Sequence, residues 1–199
     1  MKNFSQPIKV LNIKEIENKT MVMVGLEITK EELLKYSTNK GIFGNIVFDD
    51  GRRINAEQRK KLYATIRDIA DWMGDDPNYT KALFKYNFCM ESDIEYFSLS
   101  DCSLEVARSF INHIIEFVIS NGIPLTDLAL NRTTEIDSYL FYCLKHSKCS
   151  ICGQEAIAYT LEDKSKISLC SMHHDVAKDK GLEFFKNTYK VYGIEYQKL

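Results

Sequence analysis

Apolar and polar positions along the chain change period several times, and each change marks a different element. Two short runs rich in Ile, Val and Met, Ile8–Ile13 and Thr20–Ile28, flank a polar Lys-Glu-Asn stretch and predict a β-hairpin or two edge strands. A short helix over residues 30–36, a third strand at Gly44–Phe48 and a turn at Asp49-Asp50-Gly51 complete a β-rich start. Leu62, Ile66, Ile69 and Met73 then recur at helical spacing, with Asn55 and Gln58 forming a capping-box pattern and Gly74 as a stop. A second helix is expected at 79–89 on Leu83, Phe84 and Phe88, and a short strand where Ile94, Tyr96 and Ser98 alternate. Ser103 caps a long helix through Val106, Phe110, Ile114, Phe117 and Val118 that ends at Asn121-Gly122, ahead of Pro124. Residues 134–146 (Ile136, Tyr139, Leu140, Cys143) predict one more helix. The pattern is that of an α+β chain in three parts: residues 1–50, 51–146 and 147–199.

Composition agrees with a packed, water-soluble protein: 199 residues, 45% hydrophobic and 27% charged, with few prolines. No apolar run approaches the roughly 20 residues that span a bilayer, and the opening residues lack a secretory signal, so the cytoplasm is expected. The net charge of −2 hides an uneven distribution. Between residues 51 and 67, Arg52, Arg53, Arg59, Lys60, Lys61 and Arg67 face the single acid Glu57, and acids follow at Asp68, Asp71, Asp75 and Asp76. A local basic surface of this kind suffices for nucleic acid. Cations at a helix start attract phosphate, and Tyr63 on that helix offers a platform on which an unpaired base could stack.

Cysteine placement changes the picture most. Cys89, Cys102 and Cys143 are isolated within apolar patterns and read as small core residues. Cys149-x-x-Cys152 and Cys170-x-x-His173, 17 residues apart, instead supply two knuckle pairs of the ligands tetrahedral zinc prefers. His174 is an alternative fourth ligand, although the two-residue spacing favours His173. The intervening 156–161 and 166–169 predict a hairpin, and the second pair opens a helix, giving a ββα order.

Residues 147–199, with the strings Cys-Ser-Ile-Cys-Gly and Leu-Cys-Ser-Met-His-His-Asp, resemble the HNH nuclease family. The resemblance implies a ββα fold holding a catalytic divalent metal and, in many members, a structural zinc. The zinc half matches, whereas the catalytic half departs from the pattern. Ala156–Thr160 stands where the family has an acidic-His or His-His pair, and Glu162–Ser165 replaces the loop asparagine. Lys178 stands where the family has a histidine four residues beyond the one matching His174. A base and two metal ligands are what such hydrolysis needs, and only Asp163, Asp175 and Asp179 stand near to replace them. No catalytic residue is therefore assigned.

The string Arg53-Ile54-Asn55-Ala56-Glu57-Gln58-Arg59-Lys60-Lys61-Leu62-Tyr63-Ala64, continued through Ala82–Phe84, Ser98-Leu99-Ser100 and Phe117…Gly122-Ile123, resembles the phage recombination family of Orf, also called NinB. The resemblance covers about residues 45–128. It implies a homodimer in a phage-infected or lysogenic bacterial cytoplasm that binds single-stranded DNA and single-strand-binding protein and helps load a recombinase or annealing protein. By position it carries DNA contacts onto Gln58, Lys60, Lys61 and Tyr63, and the charge cluster adds Arg52, Arg53 and Arg59. Asp101 departs from the pattern in the loop before the long helix. The expected function is a recombination mediator that binds single-stranded DNA. The alternatives are a metal-dependent HNH endonuclease and a zinc-stabilised interaction protein.

Overall fold

The structure, a computed structural model, describes residues 8–17, 19–44, 46 and 51–196. The chain divides into two compact units, Met1–Phe48 and Asp49–Leu199. In the first, β1 (Lys9–Ile16) and β2 (Lys19–Gly25) form an antiparallel hairpin with Ile13 opposite Val22, and the register shifts between Val10 and Asn12. A short helix α1 (Lys30–Leu34) follows, held by a reciprocal capping box between Thr29 and Glu32. The strand expected at Gly44–Phe48 and the turn at Asp49-Asp50-Gly51 fall largely outside the described residues.

The second unit is built on helices whose ends are set by local chemistry. Helix α2 (Ala56–Met73) starts where the Gln58 amide donates to Asn55 Oδ1 at 2.8 Å and the Asn55 amide to Gln58 Oε1 at 3.1 Å. It stops at Gly74, whose φ of 75° is cheap only without a Cβ. Leu62, Ile66 and Ile69 are buried as their spacing requires, while Met73 at the helix end is exposed. Helix α3 (Pro77–Ser92) is capped by Asp76 and runs longer than its apolar anchors suggest, since Pro77 pre-sets the first turn.

No strand forms around Ile94–Ser98. Ile94 and Phe97 instead pack from an irregular segment, and Phe97 meets Phe110 edge-on at 5.5 Å. An alternating stretch needs a neighbouring strand to pair with, and the described strands lie only in the two hairpins. Helix α4 (Leu104–Asn121) begins at its Ser103 cap and ends at left-handed Gly122. Backbone bonds from Ile54 to Cys102 and from Leu104 to Arg52 fasten the starts of α2 and α4 together.

A single turn α5 (Ala129–Arg132), absent from the periodicity, places Arg132 3.6 Å from the buried Asp68 carboxylate of α2. Helix α6 (Ile136–Lys145) leads into an antiparallel hairpin of β3 (Ile157–Thr160) and β4 (Lys166–Leu169). Helices α7 (Ser171–Lys180) and α8 (Leu182–Tyr189) close the chain, and the C-terminal region has the expected ββα order within a mixed α+β fold. One apolar cluster runs through the unit, joining Leu62, Phe110 and Leu140 to Cys149, Leu169 and Phe185. Cys89, Cys102 and Cys143 are free thiols within this unit, all of them buried.

Candidate metal centre

The first half of the centre is a tight turn between α6 and β3. The Cys149 amide donates to the Gln154 carbonyl, and the Gly153 amide returns to the Cys149 carbonyl, with Gly153 at φ 71°. Ser150 pins this knuckle to β4, its amide and hydroxyl both donating to the Ser168 carbonyl. From beneath, the buried Tyr139 hydroxyl of α6 donates to the Ser150 carbonyl at 2.9 Å. The second half is the start of α7. Cys170 is its N-cap and His173 lies in its first turn, so helix geometry turns both side chains toward the knuckle.

The four ligand atoms of Cys149, Cys152, Cys170 and His173 lie within 4.8 Å of one another. His173 Nδ1 is 3.2 Å from Cys170 Sγ and 3.6 Å from Cys149 Sγ, and Cys152 Sγ is 3.8 Å from Cys170 Sγ. Ligands arranged tetrahedrally about zinc stand roughly 3.3–3.8 Å apart, given bonds of about 2.0 Å to nitrogen and 2.3 Å to sulfur. The cluster can therefore hold a metal ion such as zinc.

Electrostatics act unequally on the ligands, opposing the thiolate form at Cys152 and easing Cys170 and His173 toward their ligating forms. Burial pushes the Cys152 thiol up to about 11, with Cys149 and Cys170 adding to the rise. Burial also acts on Cys170, but amides of the first turn of α7, together with the neighbouring thiols, outweigh it and hold this thiol below its usual range. Burial lowers His173, which keeps its imidazole neutral and able to ligate. Tyr189 of α8 meets the His173 ring edge-on at 5.5 Å, and buried Phe185 packs behind it. The backing by α8 was not anticipated from the pattern, although Leu182, Phe185 and Tyr189 carry a helical spacing that signals it.

His174 lies outside the cluster. Its ring stacks on Tyr159 of β3 with centroids 3.8 Å apart and planes at 16°, and its Nδ1 is 3.4 Å from Asp175 Oδ1. Ala158 on the same strand is exposed, as is Lys178 one turn further along α7. Asp163 serves the β3–β4 turn, where the Ser165 hydroxyl and amide hold its carboxyl below the usual range.

The family described as Putative HNHc nuclease matches residues 23–198. The chain belongs to this family. The match takes in both the Cys3His centre and residues 45–128, so one HNHc-family assignment spans most of the chain and a separate Orf-type part is not shown. No curated protein and no solved structure matches it. Among the described residues, no helix is long and apolar enough to cross a membrane.

The residues expected to contact DNA are divided by their surroundings in this HNHc-family chain. Gln58 is the capping partner of Asn55, Arg59 donates from its guanidinium to the Ser100 carbonyl, and Lys61 pairs with Glu57 at 3.2 Å. Arg52 and Arg53 are exposed beside the backbone bridge to Ser103. Lys60 is exposed, and Tyr63 shows 43% of its surface with Lys81 Nζ 5.5 Å from its ring centroid. Arg67, one turn beyond Tyr63, is exposed on the same side of α2.

Proposed function

We propose that this HNHc-family chain binds single-stranded DNA without cutting it, in the manner of a recombination mediator, and keeps its zinc as a structural ion. One observation carries the reading. Where the HNH nuclease pattern has an acidic-His or His-His pair and a further helix histidine, this chain has Ala158, Tyr159 and Lys178, with Tyr159 lying flat on His174. Hydrolysis needs a base and at least two ligands for the catalytic ion, and one imidazole stacked on a tyrosine cannot fill all of these roles. Protonated Lys178 cannot ligate a cation. Zinc bound by Cys149, Cys152, Cys170 and His173 would be fully ligated by protein, which suits a structural role and leaves no open position for substrate.

Support for strand binding comes from Lys60, Tyr63, Arg67 and Lys81, which join three cations to one exposed ring on neighbouring helices. Phosphates would meet the cations and a splayed base the tyrosine. A homodimer that also meets single-strand-binding protein and a recombinase is the wider form of this reading. The test is a binding titration of the zinc-loaded chain with single-stranded and duplex oligonucleotides at several salt concentrations. Single strands should bind more tightly, and K60A/R67A should flatten the log–log salt slope by about 0.7 for each phosphate no longer neutralised. Equal, salt-insensitive or absent binding would remove the reading.

A second reading, metal-dependent endonuclease, is favoured by the family itself and by His174 standing beside Asp175 at a half-exposed surface. It requires the aspartates of α7 to supply the metal ligands that the missing histidines would otherwise provide.

A further inference from the structure

Away from the metal centre and the basic face of α2, an open surface cavity of about 600 Å³ lies between α6 and the last described segment of the chain. Its walls are Phe141 and Tyr142 from α6 and Tyr192 and Ile194 from the returning tail, and Asp137 and Glu195 supply its charge. The tail is held in place from two sides. Backbone bonds of 2.8 and 3.0 Å join Ile194 to Lys166 of β4, and the Tyr192 hydroxyl donates to Asp137. Gly193 permits this path, because a Cβ there would overlap Ser165 Oγ. The rings are fixed as well: Phe141 stands 5.9 Å from Tyr142 and 5.6 Å from Tyr196, centroid to centroid.

We propose that this cavity binds an organic cation, a guanidinium or alkylammonium group, between its aromatic walls and the carboxylates of Asp137 and Glu195. Among the described residues, no lysine or arginine lines it. Aromatic faces attract a cation, and carboxylates nearby supply the counter-charge. The same charges disfavour a phosphate in this cavity. A divalent metal fits poorly, since hard cations ask for about six oxygens and, among the described residues, two carboxylates line the walls. The cation could be free in solution or a side chain presented by a partner protein.

The test uses the full zinc-loaded chain labelled with 15N. It is titrated with acetyl-Gly-Gly-Arg-Gly-Gly-amide, with the glutamate counterpart of that peptide, and with agmatine. Saturable shifts are expected at the amides of Ser138, Gly193 and Ile194 with the arginine peptide, and none with the glutamate peptide. D137N/E195Q should weaken binding on the order of ten-fold, and Phe141→Leu about 2- to 30-fold, the range of a cation–π contact. Glu195→Gln alone, which leaves the Tyr192–Asp137 bond intact, should weaken it measurably in a chain with an unchanged melting curve. A peptide binding tighter than agmatine assigns the site to a partner's side chain, and equal binding assigns it to a free cation. No saturation, binding of the glutamate peptide, or affinity unchanged in both carboxylate variants would overturn the proposal.

Discussion

His173 and His174 are neighbours on α7, yet they sit in opposite surroundings. His173 is 7% exposed, points Nδ1 at the sulfurs of Cys149 and Cys170 and is backed by Tyr189. His174 is half-buried, stacked on Tyr159 and placed beside Asp175. Successive residues on a helix point about 100° apart, so one turn of α7 faces both ends of the ββα region. At one end the ligand set is complete and joined to the core. At the other, a single imidazole remains and an aromatic ring covers it. At the metal end Cys149 and Cys170 belong to the core cluster itself, whereas at the other end Tyr159 packs against that cluster from a half-buried position.

The largest effect should come from removing the metal end. Structural zinc contributes an apparent 10–16 kcal/mol, roughly, in small zinc-binding peptides. Cys149→Ser should leave the protein with far less than one zinc per chain, measured by elemental analysis. The damage should reach beyond the hairpin, because Cys149 and Cys170 belong to the same apolar cluster as Leu140 and Phe110. A circular-dichroism melt should therefore drop for the helical body too, and chelation should reproduce the drop. His173→Ala should behave like Cys149→Ser, while His174→Ala should keep one zinc and a near-parental melt. Equal zinc loss in both histidine variants would erase the distinction.

A smaller effect is expected at the support beneath the knuckle. Tyr139→Phe removes the donor to the buried Ser150 carbonyl, and an unsatisfied buried acceptor costs about 1–3 kcal/mol. Denaturant unfolding should show that loss with zinc still bound. At the other end, Tyr159→Leu, which keeps an apolar side chain but removes the ring pair, should cost about 0.5–1.5 kcal/mol and should leave zinc untouched.

The smallest effect belongs to Glu116, which lies at neither end. Burial raises its carboxyl, but hydrogen bonds from Lys145 and His146 outweigh this and hold it below the usual carboxylate range. Its stabilisation is therefore complete above the ordinary carboxylate pKa and is lost as the pH falls through the lower folded value. With both partners partly exposed, the pair contributes less than about 1 kcal/mol. The melting temperatures of Glu116→Gln and the parent should differ slightly near neutral pH and converge in acid.

What could be read from the residues follows the range over which each feature is determined. The caps of α2 and α4 at Asn55 and Ser103, and the spacing of Cys149, Cys152, Cys170 and His173, are local and were legible. Ile94–Ser98 was misread as a strand because a neighbour to pair with, not alternation, decides whether a strand forms. The turn α5 owes its place to Arg132 meeting Asp68, far apart in sequence, and no periodicity reports that. The basic start of α2 showed its charges but not their partners. Glu57, four residues before Lys61, was the one visible hint that this lysine is engaged. The reach of Arg59 to Ser100 could not be seen without the fold.

Whether the covered end of the ββα region still performs hydrolysis decides between a binding protein and a nuclease. The most direct measurement incubates the zinc-loaded chain with supercoiled plasmid and single-stranded DNA in magnesium, manganese or nickel, beside His174→Ala. DNA should stay intact under every condition. Metal-dependent nicking that disappears with His174→Ala would contradict this and assign the chain to the active nucleases of its family.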